Sequence, residues 1–242
     1  MKRNLDFLKG LYIAHRGLYN NEKGTPENSL KAFKEALERN IIIEFDVHLL
    51  KDGNIVIMHD DNLKRMTGYD KDLKDCTYEE ISKLRLLDTD EKIPLLEEAL
   101  ELVNGKVMLD IELKYDVEVG KLENELCQYL DKYEGEFIVK SFRTNTVKWL
   151  KENRPKYIVG QLATYKDEEI RNKELCLKGN ICEASPDFIA YDIRTLPNNE
   201  VAECRKNGFP ILIWTVKTKE DLEKAKLYGD TFISEYEVLL NL

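Results

Sequence analysis

The chain has 242 residues, of which 43% are hydrophobic and 34% are charged, and its formal net charge is −9 at pH 7. This acidic balance argues against nucleic acid as the main partner, because phosphate backbones bind basic surfaces, but a few local cations can still hold a small phosphorylated molecule. The sequence shows no apolar run long enough to span a membrane, no signal peptide, and no C-x-x-C pair among its five cysteines, so we expect a cytoplasmic protein with reduced thiols.

The first predicted strand covers residues 11–14 and ends in His15-Arg16-Gly17. A helix follows, capped by Asn28 or Ser29, whose side-chain oxygens can accept hydrogen bonds from the first helical turn. The apolar stripe predicted for this helix consists of Leu30, Phe33 and Leu37.

The second predicted strand begins as the apolar run Ile41-Ile42-Ile43, and polar residues then occur at alternate positions, at Glu44, Asp46 and His48. Alternate residues of a strand point to the same side, so these three side chains share one face. A polar turn at residues 51–53 is followed by a second apolar strand at 55–58, and together they predict a hairpin inserted before the next helix. A helical piece is predicted near 78–87.

The remaining chain alternates between helical patterns and apolar runs. Eight strands are predicted in all, beginning near residues 11, 41, 106, 137, 157, 188, 210 and 231. The helices between the later strands are predicted at about 95–103, 118–132, 143–153, 167–177, 197–207 and 218–227, with a short last helix at 236–242. This alternation predicts a (β/α)₈ TIM barrel with a small hairpin and helical insertion after strand 2, as one domain over residues 1–242. A doubly wound open sheet is the alternative, but no Gly-rich phosphate loop follows the first strand.

Carboxylates interrupt the apolar pattern where strands 2 and 3 of the predicted barrel end. Glu44 and Asp46 follow strand 2, and Glu112 lies in the LDIELK segment of strand 3. Barrel enzymes keep their active sites at these strand ends, and clustered carboxylates need a compensating positive charge. A single Mg²⁺ or Ca²⁺ ion bound by Glu44, Asp46 and Glu112 fits this pattern, and salt bridges to a neighbour such as Lys114 are the alternative.

Histidines and cations lie at the same strand ends. His15 and His59 would be the acid and base of a proton-transfer pair, because imidazole titrates near neutral pH; ordinary surface or core histidines are the alternative. Arg16 and Lys114 could bind a phosphate, pair with the carboxylates, or do both. Trp214 could line a substrate pocket, although an aromatic residue at a strand end is as often part of the core.

These residues fall in an ordered set of motifs. They are HRG at 15–17, PENS at 26–29, EFDV at 44–47, KDG at 51–53, HD at 59–60, IELK at 111–114, SF at 141–142 and WTV at 214–216. The set resembles the glycerophosphodiester phosphodiesterase family over nearly the whole chain. The chain departs from the family pattern at Ser29 and Leu50, where the family usually has Thr, and at Lys217, where it usually has Asn.

The resemblance implies a metal-dependent TIM-barrel enzyme that cleaves glycerophosphodiesters to sn-glycerol 3-phosphate and an alcohol. By position, its catalytic histidines would be His15 and His59, and its phosphate-contacting cations Arg16 and Lys114. Its metal ligands would be Glu44, Asp46 and Glu112. Two alternatives stay open: a phospholipase D-like enzyme acting on lysophospholipids, and a non-catalytic barrel that only binds a phosphate ligand.

Overall fold

The structure is a computed structural model that describes residues 5–114, 118–164 and 184–241. The strands among these residues are β1 (Tyr12–Ala14), β2 (Ile42–Leu49), β3 (Ile55–Ile57), β4 (Leu109–Leu113), β5 (Phe137–Ser141), β6 (Val159–Ala163), β7 (Phe188–Asp192), β8 (Ile211–Val216) and β9 (Thr231–Ser234). The helices are α1 (Leu30–Glu38), α2 (Lys64–Thr67), α3 (Tyr78–Ile81), α4 (Leu96–Val103), α5 (Lys121–Leu130), α6 (Thr144–Asn153), α7 (Asn199–Lys206), α8 (Lys219–Tyr228) and α9 (Tyr236–Leu239). The helix predicted at 167–177 lies outside the described residues.

The strands follow the order β1-β9-β8-β7-β6-β5-β4-β2-β3, and β1 also pairs with β2. Leaving out β3, eight strands with helices between them form a (β/α)₈ barrel, which confirms the predicted fold. The predicted insertion is also confirmed, because β3 pairs with β2 as an antiparallel hairpin in which Leu49 lies opposite Ile55. No helix in the described part of the chain has the length and hydrophobicity that a membrane span needs; the cytoplasmic location stays a prediction.

The described residues form two compact units, one from Ala14–Phe137 and the other from Ile138–Leu242 together with Met1–Ile13. In the 14–137 unit, β2 and β4 pair in parallel with Asp46 opposite Glu112. Residues 43–48 of β2 are all buried. Phe45 packs against Phe33 of α1 with ring centroids 5.5 Å apart, and the alternate positions carry the acidic side chains on the other face.

Helix α1 begins after Ser29, whose side-chain oxygen accepts a hydrogen bond from the backbone nitrogen of Ala32 at 3.1 Å, as predicted for a cap. The apolar stripe differs from the prediction, because Leu30 and Leu37 are only half-buried. The fully buried residues of α1 are Ala32, Phe33 and Ala36. Two of these three are small, so the close packing of this helix depends on alanines rather than on its large apolar residues.

The insertion after β3 has its own small core and two short helices. The buried residues of this core include Leu50, Met58, Leu63, Met66, Leu73, Cys76, Ile81 and Ile93. The helix predicted at 78–87 is wrong in length: α3 ends at Ile81, and Leu87 and Asp88 take positive φ angles of 48° and 56° that a right-handed helix does not allow. Helix α2 was not predicted, and it carries a functional candidate, Arg65.

In the other unit, β6, β7, β8 and β9 pair in parallel. Its core includes Ile189, Tyr191, Ile211 and Ile213. Trp214, half-buried near the end of β8, packs edge-to-face against Phe142 with ring centroids 5.7 Å apart. Its predicted role in a substrate pocket stays a prediction, as does the single-domain organisation of residues 1–242.

Candidate active site

Three buried carboxylates of the 14–137 unit converge. Glu44 and Asp46 point to the same side of β2 because they are two residues apart, and Glu112 lies beside Asp46 on β4. One ligand oxygen from each of the three lies within 4.8 Å of the other two. Only 2%, 1% and 7% of the surfaces of Glu44, Asp46 and Glu112 are exposed. The structure therefore brings together the three carboxylates that the sequence predicts as metal ligands.

Lys114, directly after β4, contacts two of these carboxylates. Its Nζ lies 2.8 Å from Asp46 Oδ1 and 2.5 Å from Glu112 Oε1. Burial alone would lower the pKa of Lys114, but the charges of Asp46 and Glu112 outweigh it and raise that pKa above its usual value. For Asp46 burial opposes ionisation, yet Lys114, His59 and Arg16 hold its pKa well below the usual range. Lys114 and Asp46 are therefore both charged at neutral pH.

Arg16 joins the cluster from the end of β1. Its backbone nitrogen donates a hydrogen bond to Glu44 Oε2 at 2.9 Å, and its guanidinium Nε lies 3.8 Å from Asp46 Oδ2. The next residue, Gly17, has φ of 79°, and a Cβ there would lie 2.8 Å from the Phe33 ring. Only glycine therefore fits beside α1 at this point of the HRG motif.

Two residues of the PENS segment also face the cluster. Asn28 Nδ2 donates a hydrogen bond to Asp46 Oδ2 at 2.9 Å, and Glu27 Oε1 accepts one from Arg16 Nη1 at 2.6 Å. Glu27 also exchanges hydrogen bonds with Asn21, which donates through Nδ2 at 3.1 Å and accepts from the Glu27 backbone nitrogen at 2.9 Å. Ser29 alone is the helix cap, so Asn28 is available to orient the carboxylate of Asp46.

His59 is held from its Nδ1 side, which lies 2.7 Å from Asp60 Oδ1. Asp60 in turn accepts hydrogen bonds from Arg65 Nε at 2.5 Å and Nη2 at 3.1 Å. Partial burial would raise the pKa of Asp60, but Arg65 and His59 lower it to about 2. The ionised carboxylate favours a proton on Nδ1 of His59, which leaves Nε2 to exchange protons.

The other two histidines differ in their surroundings. His15 immediately precedes Arg16, is half-buried, and has its ring centroid 6.4 Å from that of Tyr19. His48 is buried, and its Nε2 lies 3.4 Å from the carbonyl oxygen of His59. Burial and the charge of Lys114 lower the pKa of His48. The contact ties the position of His48 to the backbone that carries His59.

The charges and donor atoms of this network fit a divalent cation. Glu44, Asp46 and Glu112 each place one carboxylate oxygen within 4.8 Å of the other two, and Lys114 and Arg16 lie against this cluster in the described part of the chain. Carboxylate oxygens are the donors that Mg²⁺ and Ca²⁺ prefer. The acidic cluster can therefore hold a hard divalent ion while Lys114 and Arg16 stay in place.

Sequence reasoning assigned no role at the site to Arg65, Asp60 or Glu27, and it assigned Asn28 only a possible role as a helix cap. Arg65 lies in a polar stretch with no local pattern that sets it apart, and its contact with Glu27 spans 38 residues of sequence. The sequence predicts Asn28 only as a candidate helix cap, and it marks Glu27 only as part of the PENS motif. The acid in PENS was the available signal, because a capping residue alone does not require a buried carboxylate.

We expect Glu27→Gln to reduce the free energy of unfolding in a pH-dependent way. Burial would raise the pKa of Glu27, but Arg65 and Arg16 lower it to about 2 from 4.5. The stabilisation is complete above the unfolded-state pKa and is lost as pH falls through the folded-state pKa. Urea unfolding should show a loss of about 2–3 kcal/mol at pH 7 and less than half of that at pH 3.

The control for this measurement is Glu22→Gln, at an exposed position of the same loop. This variant should change the unfolding free energy by less than about 0.5 kcal/mol at either pH. A Glu27→Gln effect that is equal at pH 7 and pH 3 would contradict the charge-based account of Glu27.

A barrel whose strand ends carry a buried carboxylate triad, two cations with side chains only 15% and 11% exposed, and histidines defines the class of barrel hydrolases that act on phosphate esters. Residues 15–233 match the model of the glycerophosphoryl diester phosphodiesterase family. The chain is 33% identical over 252 aligned residues to a glycerophosphodiester phosphodiesterase of Caldanaerobacter subterraneus subsp. tengcongensis, with 97% of this chain and 98% of that protein covered. The chain belongs to the glycerophosphoryl diester phosphodiesterase family and is a phosphoric diester hydrolase.

Solved structures agree with the fold. A putative glycerophosphoryl diester phosphodiesterase from Silicibacter pomeroyi superimposes with a TM-score of 0.84 at 22% identity, covering 100% of this chain and 98% of the other. A phosphodiesterase from Oleispira antarctica, solved in complex with the product sn-glycerol-3-phosphate, superimposes with a TM-score of 0.79 at 22% identity, covering 97% and 98%.

Proposed function

We propose that the chain hydrolyses glycerophosphodiesters to sn-glycerol 3-phosphate and an alcohol in a reaction that depends on a divalent cation. The observation that carries this proposal is the buried triad of Glu44, Asp46 and Glu112, with Arg16 and Lys114 directly against it. The product in the Oleispira antarctica structure supports the same substrate class. The proposed substrate is a small molecule, which needs no basic surface beyond these two cations.

Glu44, Asp46 and Glu112 would hold one Mg²⁺ or Ca²⁺ ion through carboxylate oxygens. When bound, the ion neutralises negative charge that develops on the phosphoryl group. Asn28 restrains one oxygen of Asp46 by a 2.9 Å hydrogen bond. Such a bond fixes the carboxylate orientation before the ion arrives, which improves the affinity of a metal site.

Arg16 and Lys114 bind the phosphate oxygens of the substrate. Their present partners are carboxylates, and Lys114 uses two of its donors on Asp46 and Glu112. An ammonium group has three donors and a guanidinium has five, so both side chains can contact a phosphate without leaving the carboxylates. The two roles that the sequence left open for these cations are therefore compatible.

His15 and His59 carry the proton transfers. One histidine removes a proton from the nucleophile and the other protonates the leaving alkoxide. If the nucleophile is water, glycerol 3-phosphate forms directly; if it is the neighbouring glycerol hydroxyl, a cyclic phosphate forms and a water then opens it to glycerol 3-phosphate. Asp60 fixes Nδ1 of His59 at 2.7 Å, so Nε2 is the atom of His59 that exchanges the proton.

Comparing substrates tests the proposed function. Purified protein with added Mg²⁺ or Ca²⁺ should release glycerol 3-phosphate from glycerophosphocholine and glycerophosphoethanolamine much faster than it cleaves lysophosphatidylcholine. Faster turnover of lysophosphatidylcholine would favour the phospholipase D-like alternative. Binding of glycerol 3-phosphate without turnover of any of these substrates would favour the non-catalytic barrel.

A further inference from the structure

Arg65 occupies the junction between two parts of the site. Its Nη1 and Nη2 donate hydrogen bonds to both oxygens of Glu27 at 3.0 and 2.7 Å. Its Nε and Nη2 donate to both oxygens of Asp60 at 2.5 and 3.1 Å. One guanidinium therefore forms hydrogen bonds with two carboxylates at once, and it contacts both oxygens of each.

Each of these carboxylates restrains a different side chain of the site. Asp60 holds Nδ1 of His59 at 2.7 Å, and Glu27 holds Nη1 of Arg16 at 2.6 Å. A continuous series of hydrogen bonds thus runs from His59 through Asp60, Arg65 and Glu27 to Arg16. It links the proton-transfer side of the site to the phosphate-binding side.

We propose that Arg65 is a positioning residue that holds the proton-transferring His59 and the phosphate-binding Arg16 in one geometry through Asp60 and Glu27. This inference rests on the proposed function, because it takes the roles of His59 and Arg16 from it. Arg65 contacts neither histidine nor the carboxylate triad in the described bonds, so its effect passes through its two carboxylate partners.

The chemistry of the junction requires arginine. Two carboxylates gripped at four oxygens need donors in a fixed planar fork, which a lysine ammonium cannot supply. The segment that carries Arg65 is itself held: Asn62 donates to Asp72 at 2.8 Å and Thr67 Oγ1 donates to the Leu63 carbonyl at 2.9 Å. The Arg65 side chain is 45% exposed, so its substitution leaves the buried core of the insertion intact.

Kinetics of Arg65→Ala and Arg65→Lys test the proposal, with glycerophosphocholine as substrate and added divalent cation. Both variants should lower kcat by about 10–100-fold, because small displacements of a catalytic group have effects of this size. Lysine should not restore kcat, since it retains the positive charge but lacks the planar set of guanidinium donors. Lys64→Ala on the same helix, which breaks only an exposed 2.7 Å ion pair with Asp70, should leave kcat unchanged.

Double variants separate positioning from a general loss of stability. Asp60→Asn should lower kcat in the wild-type background and add little in the Arg65→Lys background, because both changes break the same series of contacts. The ¹⁵N shifts of the His59 ring should show Nδ1–H in the wild type and a mixture of tautomers in Arg65→Lys. Melting temperatures identify any variant that fails to fold. If Arg65→Ala is such a variant, the comparison of Arg65→Lys, Asp60→Asn and their double variant still tests the proposal.

Several results would overturn the proposal: full activity of Arg65→Ala, rescue by Arg65→Lys, or additive effects of Asp60→Asn and Arg65→Lys. His59→Ala distinguishes this failure from failure of the proposed function. If His59→Ala is inactive while Arg65 variants are normal, only the role of Arg65 is wrong. If His59→Ala is itself fully active, the proposed proton-transfer role is wrong as well.

Discussion

His59→Ala and His15→Ala are each expected to lower kcat by at least about a hundredfold, the lower end of what a general acid or base contributes. The reason is that alanine cannot accept a proton from the nucleophile or give one to the leaving alkoxide. Initial rates of glycerol 3-phosphate release, at saturating glycerophosphocholine and divalent cation, measure the effect directly.

Lys64→Ala is the control for the His59 variant, because the Lys64 side chain is 68% exposed and pairs with the exposed Asp70 at 2.7 Å, away from the histidines. Its kcat should stay within about twofold of the wild type. A near-normal rate for either histidine variant would remove that histidine from the mechanism and leave the assignment of the other unchanged.

Lys114→Met is expected to lower the free energy of unfolding by about 3–5 kcal/mol in the presence of a chelator. The Lys114 side chain is only 11% exposed and lies between Asp46 and Glu112, so its loss leaves two carboxylates without their closest described positive charge. Urea unfolding in chelator measures the loss. Millimolar Mg²⁺ or Ca²⁺ should restore part of it, because an ion that binds only the folded state stabilises it by mass action.

The control for Lys114→Met is Lys64→Met, which removes an exposed ion pair with Asp70. Exposed pairs contribute about 0–1 kcal/mol, so this variant should be nearly as stable as the wild type. Equal stability of Lys114→Met and the wild type in chelator would show that the carboxylates of Asp46 and Glu112 do not need this cation.

The barrel and the carboxylate cluster were predictable because both follow from local periodicity. Strand alternation places Glu44 and Asp46 on one face, and the regular succession of strands and helices brings Glu112 to the neighbouring strand. Such patterns depend on residues close in sequence, so they can be recognised without knowledge of the tertiary contacts.

Arg65 and the true buried face of α1 were not predictable in this way. Arg65 reaches Glu27 only because the insertion folds back across 38 residues of sequence. In α1 the backbone oxygen of Ala32 accepts a hydrogen bond from the Leu18 nitrogen at 3.1 Å, an approach that requires a small side chain. Hydrophobic periodicity favours the large residues Leu30 and Leu37, and it carries no information on how closely two segments pack.

The most direct test of the account is glycerol 3-phosphate release from glycerophosphocholine after chelator treatment and after restoring Mg²⁺ or Ca²⁺. We expect the stripped protein to be inactive, one of the two ions to restore activity, and Asp46→Asn to stay inactive at ion concentrations that saturate the wild type. Full activity of the stripped protein in excess chelator would contradict the proposed role of Glu44, Asp46 and Glu112.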